Sequence, residues 1–267
     1  MSNNLAANRE TALNEAHQKL GLGLVLAMAG GFLDAFTYVG QSHVFANAMS
    51  GNVVLTALAF QRGDWDGASR TLSAIAAFMV GVVVANTLRL PQVSRVIRRP
   101  HITALILELT LLAVIGAAPH GVPDSVIVLG VTFVAAVQTS TFRRLGDWAF
   151  ASTMSTGNLR SLADALVDWT IGRRKLDARK IAHFGAVCLA FFVGAVIGGV
   201  TTIRWGDRAA WVAALLVTIC VIHLLLHLRA EEPRSTRRPT APSLLQNRWH
   251  DARRVRRDIN PSQENTS

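Results

Sequence analysis

Cysteine is almost absent from this chain. Cys188 and Cys220 are the only two in 267 residues. Both lie inside apolar runs, without CxxC spacing or a loop partner, so no disulfide framework is written here and the redox compartment is left open. Aromatic residues are scarce too, at 7%. The net charge of +10 would otherwise suggest nucleic acid. Here Lys and Arg sit in tails and in loops between apolar runs with little to stack bases, which excludes a nucleic-acid partner. Charged residues of both signs make up only 16%, and no alternating strand pattern appears, so a membrane β-barrel is excluded. No nucleophile–base couple or metal set is found, which argues against an enzyme and gives no cofactor and no metal site.

What is present is a membrane profile. Hydrophobic residues make up 51% of the chain and the mean hydropathy is +0.32, values typical of a chain that lives in lipid. The apolar runs are Leu20 to Val39, Ala68 to Leu88, Ile102 to Ala118, Ser125 to Phe142, Ile181 to Ile203 and Ala209 to Leu228. Two shorter runs, 48 to 60 and 155 to 169, complete the set. At about 1.5 Å per residue, a dozen residues cannot cross about 30 Å of hydrocarbon, so the short pair are expected to be broken or half helices. Lipid tolerates only helices or closed barrels, and every run is therefore expected to be helical.

The stretch GGFLDAFTYVGQSHVFANAMSGN, residues 30 to 52, organises the chain. It places Asp34 inside an apolar helix, where an ionisable group costs about 2.5 kcal/mol or more unless a partner or water receives it. The stretch has a second copy. A shift of 106 positions lays Phe142 and Gly146 on Phe36 and Gly40. The same shift lays Thr156-Gly157-Asn158 on Ser50-Gly51-Asn52. With a seven-residue insertion, Gly194 then falls on Gly81. This is an internal duplication.

Loop charge sets the number of crossings. With six spans, one side carries twelve Lys and Arg (Arg89, Arg95, Arg98, Arg99, Arg143, Arg144, Arg160, Arg173, Arg174, Lys175, Arg179, Lys180). The other carries four (Arg62, Arg70, Arg204, Arg208). Eight spans would erase this asymmetry, so the positive-inside rule favours six, with both termini cytoplasmic. Three spans per half force the second copy to insert upside down. The expected fold is thus all-α, a polytopic membrane helix bundle of six spans arranged as two inverted three-helix repeats with two short half helices. Residues 1–19 form a cytoplasmic segment, 20–118 and 124–228 the two membrane repeats, and 229–267 a basic, disordered cytoplasmic tail.

In inverted-repeat transporters, discontinuous helices meet near the midplane around the substrate. The expected solute site therefore combines Asp34, Asn47, Ser50, Gly51, Asn52, Gln138, Thr156, Gly157 and Asn158, with Ser50 and Thr156 as candidate helix N-caps. A packing helix capped by the same residues is the competing reading. Asn86 and Gln138 could complete a hydrogen-bonded cluster with Asn47, Asn52 and Asn158. Glu108, alone in a Leu and Ile run, is a second ionisable candidate, with a structural pairing as its alternative. Gly81-x-x-x-Ala85 and Gly194-x-x-x-Gly198 are small-residue pairs suited to close helix packing. His223 and His227 share a helix face near the interface without an acid or Cys beside them, and Asp164 and Asp168 read as a solvated face. In the tail, Leu244 to Val255 mixes apolar residues with arginines and could lie on an anionic leaflet.

The paired segments GGFLDAFTYVG with VFANAMSGNVVL, and AAVQTSTFRRLG with STMSTGNLRSLADAL, resemble the YoaK-like family of bacterial inner-membrane proteins, a family described as a domain of unknown function. The likeness covers about Leu20 to Leu228, and the tails lie outside it. It implies a multi-pass protein of the bacterial plasma membrane, with the lipid bilayer as its first partner. No substrate, reaction or site residue comes with it. Three classes stay open: a small-solute transporter or channel that could be proton-coupled, a scaffold or regulatory subunit, and an intramembrane enzyme. A homo-oligomer is compatible with each. On topology, a reporter fused after Leu228 is expected to report cytoplasm and one inserted between Pro119 and Asp124 the outer side. A cytoplasmic signal from that loop would overturn the six-span arrangement.

Overall fold

The structure is a computed structural model. It describes residues 2–94, 97, 99–118, 122–142, 144–145, 148–149, 155–172 and 175–235, with side chains described only from residue 20 onward. The expected tail contact at Leu244 to Val255 lies outside the described residues.

The helices in chain order are α1 (Ser2–Gly40), α2 (Met49–Arg62), α3 (Trp65–Thr87), the single turn α4 (Pro91–Ser94) and α5 (Pro100–Ala117). They are followed by α6 (Asp124–Thr141), α7 (Ser155–Gly172), α8 (Lys175–Trp205) and α9 (Ala210–Ser235). The all-helical expectation needs one small addition. Arg144–Leu145 pairs antiparallel with Trp148–Ala149. The chain forms two compact units, residues 1–224 and 225–267. Described structure in the second unit ends with the last turns of α9.

Helix α1 is continuous from Ser2 through residues 2–19, whose Leu, Ala and Glu residues are good helix formers, and α9 runs on to Ser235 through Arg229, Ala230, Glu231 and Glu232 for the same reason.

Among the described residues, five stretches are long and apolar enough to cross a membrane: Leu20–Gly40, Trp65–Thr87, Pro100–Ala117, Asp124–Thr141 and Ala178–Leu226. The last covers α8, α9 and the 3-10 turn Gly206–Ala209 between them, where Gly206 takes φ 56°. Large apolar side chains face outward, among them Val54, Met79, Val83, Phe192, Ile203 and Leu215. Water would penalise such a surface, whereas lipid solvates it.

Helix ends explain the turn between α2 and α3. Gly63 at φ 70° closes α2 in the left-handed conformation, and its N–H reaches the carbonyls of Ala59 and Phe60. Asp64 then caps α3, its Oδ1 accepting from Gly67 N at 2.9 Å. Along the hairpin, the hydroxyls of Thr56 and Thr71 meet at 2.7 Å.

Packing joins opposite ends of the sequence. α1 lies along α8 and α3 along α6, while α2 pairs with α3, α7 with α8 and α5 with α6. Contacts of α8 with α1 fix a parallel register, because Gly194 abuts the Met28 carbonyl and Gly198 the Phe32 carbonyl. The equivalent contact in α3 and α6 places Gly81 on Phe133 and Ala136. In lipid there is little hydrophobic drive between helices, so this close backbone approach is itself the main source of cohesion. A central apolar cluster gathers Leu26, Phe32, Leu33 and Phe36 of α1 with Leu105 and Leu112 of α5, Val131 and Ala135 of α6, and Val217 of α9.

A side chain at Gly194 has nowhere to go, so Gly194→Leu is expected to cost about 1–3 kcal/mol by overpacking. Gly199→Ala, with nothing within 4 Å of its added carbon, is expected to be neutral. Unfolding of the purified variants in detergent checks both, and a Gly194→Leu protein as stable as the parent would refute this packing.

Candidate functional site

The site begins where α1 ends. After Gly40 the chain reverses through Ser42 and His43, both with positive φ, at 60° and 61°. Two consecutive non-glycine residues in the left-handed region cost about 1–2 kcal/mol each, so the surroundings must hold them. Gln41 is buried and its Nε2 donates to Asp207 Oδ1 at 2.5 Å. Ser42 Oγ is 2.8 Å from Asp124 Oδ2. Tyr38, the only tyrosine in the chain, stacks on Phe45 with ring centroids 4.6 Å apart and meets His43 edge-on at 5.2 Å. Val44 is fully buried against Ala74 of α3 and Val128 of α6. The corner is therefore anchored to α3, to α6 and to the turn between α8 and α9.

From this corner the chain runs back alongside α1. Asn47 N donates to Asp34 Oδ1 at 2.6 Å, and Asn47 Nδ2 donates to the Gly30 carbonyl at 3.2 Å. The peptide N–H groups of Ala46 and Ala48 are also directed at the Asp34 carboxylate. Gly30 is the midpoint of the apolar stretch Leu20–Gly40. With about 1.5 Å of rise per residue, it lies about 15 Å below the end of α1. The start of α2 is thus held beside the middle of α1.

Ser-Gly-Asn proves to be a latch on Phe45. Asn52 Oδ1 accepts from Phe45 N at 2.9 Å, and Asn52 Nδ2 donates to the Phe45 carbonyl at 2.8 Å. Gly51 lies under the Phe45 ring, where a Cβ would be 3.0 Å from the ring edge. Asn52 is fully buried while Ser50 is exposed. The expected capping role of Ser50 is corrected: Ala48 occupies the N-cap of α2 and no side chain caps it. Helix α2 starts at Met49, so Ser50 already lies inside its first turn, past the position from which a side chain caps a helix. In the second copy, Thr156 and Gly157 are exposed and Asn158 is buried, with Ser155 opening α7. The residue facing inward in both copies is the Asn. The segment matching 44–48 falls in 150–154, outside the described residues.

Of the expected hydrogen-bonded cluster of Asn47, Asn52, Asn86, Gln138 and Asn158, the first four do not join in one network. Asn86 is exposed at the end of α3. Asn52 is committed to Phe45, and Gln138 is fully buried with neither amide atom hydrogen-bonded. α2 is held by α3 and α7 by α8, so the two short helices rest on different partners. Where Asp34 has its equivalent, Ser140, the second half uses another solution: the Arg89 guanidinium donates to the carbonyls of Ser140 and Thr141 at the end of α6. Arg160 pairs with Asp164 on an exposed face, as expected of solvated charge.

Other buried atoms without a hydrogen-bond partner include both carboxyl oxygens of Glu108, Thr132 Oγ1 and Asn47 Oδ1. The lone acid in the apolar run of α5 was a visible signal for Glu108. Nothing in the sequence marked Thr132, since threonine is common in membrane helices.

Together these elements define a multi-pass membrane helix bundle in which the start of a short helix is anchored beside the middle of the first apolar stretch. Over residues 22–223 the chain matches the family described as "Protein of unknown function (DUF1275)", and it belongs to that family. It is similar to the UPF0700 transmembrane protein YoaK of Bacillus subtilis (strain 168), with 25% identity over 214 residues covering 78% of this chain and 95% of the relative. No solved structure matches it.

Loss of the Asn52 amide would strand two peptide groups of Phe45, each costing about 1–3 kcal/mol when buried unpaired. Asn52→Ala is therefore expected to lower the stability of the detergent-solubilised protein by about that amount or more, while Ser50→Ala, on an exposed side chain, changes it little. Parallel unfolding curves of the two variants check this, and equal effects would refute the latch.

Proposed function

We propose that the protein is a small-solute transporter or channel of the bacterial plasma membrane, with six spans arranged as two inverted repeats and both termini in the cytoplasm. Dividing Ala178–Leu226 at its 3-10 turn supplies the fifth and sixth spans, since 49 residues would be far too long for one crossing of about 30 Å. Helix pairing supports the repeat: under the duplication, the pairs α1 with α8 and α2 with α3 become α6 with α3 and α7 with α8.

The observation that carries the transport reading is the start of α2 beside Gly30 and Asp34, at mid-depth of an apolar helix. Irregular backbone at membrane depth is tolerated where it is buried in protein or lines a water-filled path, and in transporters such breaks bind the cargo. In this reading Asp34, Asn47, Ser50, Gly51 and Asn52 of the first half and Gln138, Thr156, Gly157 and Asn158 of the second approach the solute. The protein acts without catalysis. One observation favours a scaffold instead: Asp34 and Asn52 spend their hydrogen bonds on their own loop.

Accessibility separates the two. With Cys188 and Cys220 replaced by Ala, Ala48→Cys is expected to react in intact vesicles with a small, membrane-impermeant thiol reagent applied from the outer side. A residue at that depth reacts only through water. Failure to react from either side, in a protein that folds normally, would overturn the transport reading in favour of the scaffold.

A further inference from the structure

Glu108 is the buried acid left without a role by the site around Asp34. It lies on α5 between Leu105 and Leu112, on the face turned into the central apolar cluster. Its exposure is 0% and neither carboxyl oxygen has a hydrogen-bond partner. A packing role would use those oxygens, as Asp34 uses its own on the loop at Asn47. An ionised carboxylate without a counter-charge cannot rest among Leu and Val side chains, so the group must carry a proton or bind a cation whenever it is enclosed.

The register of the surrounding helices fixes what faces it. Trp211 Nε1 donates to the Gly116 carbonyl at 2.9 Å, pinning the start of α9 to the end of α5. At about 1.5 Å per residue, Glu108 and Cys220 both lie about 12 to 14 Å from that contact, at one level. On α6, contacts of Leu111 with Gly130 and of Ala104 with Val137 bracket Glu108 and bring Thr132 close to its level. Among the described side chains of these elements, the other titratable or charged groups include Asp34 and Tyr38 on α1, His101 on α5, His223 on α9, and Asp207 and Arg208 in the 3-10 turn. Asp34 is held by its loop and Asp207 by Gln41. Within α6 the only charged residue is Asp124, at its outer end. Among the described residues of these helices, no Lys or Arg is level with Glu108. A metal ion would need several more donors than Leu, Val, Ala and one Cys provide.

We propose that Glu108 is a proton-exchanging site in the membrane core, the group through which proton movement is coupled to transport; the coupling, though not the site, rests on the transporter reading above. Gln138 and Thr132, buried and unpartnered on α6, supply polar groups along the route by which the proton reaches it.

Dicyclohexylcarbodiimide, which attacks protonated carboxyls in apolar sites, tests the site without any substrate. In liposomes of the purified protein, mass spectrometry is expected to find the label on Glu108, lost progressively as pH rises and unaffected by added sodium. E108Q should lose that label, and E108Q and E108L should melt no lower than the parent, because no hydrogen bond is removed. Proton entry under an imposed potassium–valinomycin potential, followed with an internal pH dye, should fall in E108Q to that of protein-free liposomes. Label that is absent, independent of pH or displaced by sodium would overturn the proposal, as would E108Q that keeps the parent's proton flux or both variants melting well below it. If Glu108 labels as expected while the parent moves no protons above the protein-free background, the proton-exchanging site stands and its role in carrying protons across the membrane is overturned.

Discussion

A peptide group inside a lipid bilayer must find a hydrogen-bond partner in the protein, and the Asp34 carboxylate answers that demand for the segment that turns back after α1. Its acceptance from Asn47 N, with the Ala46 and Ala48 amides directed at it, replaces the intrahelical bonds that residues 46–48 lack. Each unsatisfied group would cost several kcal/mol, more than a short helix such as α2 returns by packing. The strained corner at Ser42 and His43, the stacking of Tyr38 on Phe45 and the Asn52 clasp all depend on the loop being held at that depth. An acid in a membrane helix is here the means of bringing irregular backbone into the interior.

Two places in the bundle solve related problems with opposite charges. At the end of α6 the groups in need are the carbonyls of Ser140 and Thr141, and they receive the Arg89 guanidinium from beyond α3. Carbonyls need a donor and amides an acceptor, so one place takes a cation and the other an anion. Close backbone packing recurs in the bundle as well, with Gly81 against the Phe133 carbonyl and Gly194 against that of Met28.

Much of this was legible in the sequence. Hydropathy located the spans because each is a long apolar run, and small-residue spacing located the helix contacts because only Gly clears an opposing carbonyl. Asp34 and Asn52 were found as polar residues in apolar surroundings. Their roles were not legible, because the partners of both are peptide groups, which every residue carries and no sequence pattern marks. Ser50 was read as a cap from its residue type, whereas α2 starts one residue earlier, at Met49, with Ala48 at its N-cap. Thr132 stayed hidden because a hydroxyl satisfied within its own helix and one left unpartnered look alike in sequence.

The pairing of α1 with α8 has a consequence for biogenesis. The partner of the first membrane helix is made roughly 160 residues later, which at about 5–20 residues per second is a delay of about 8 to 30 seconds. Throughout that interval α1 sits in the bilayer with the groove around Gly31 open and with Asp34 clasping its own loop as its only protection. The pairing of α1 therefore waits until α8 has been made.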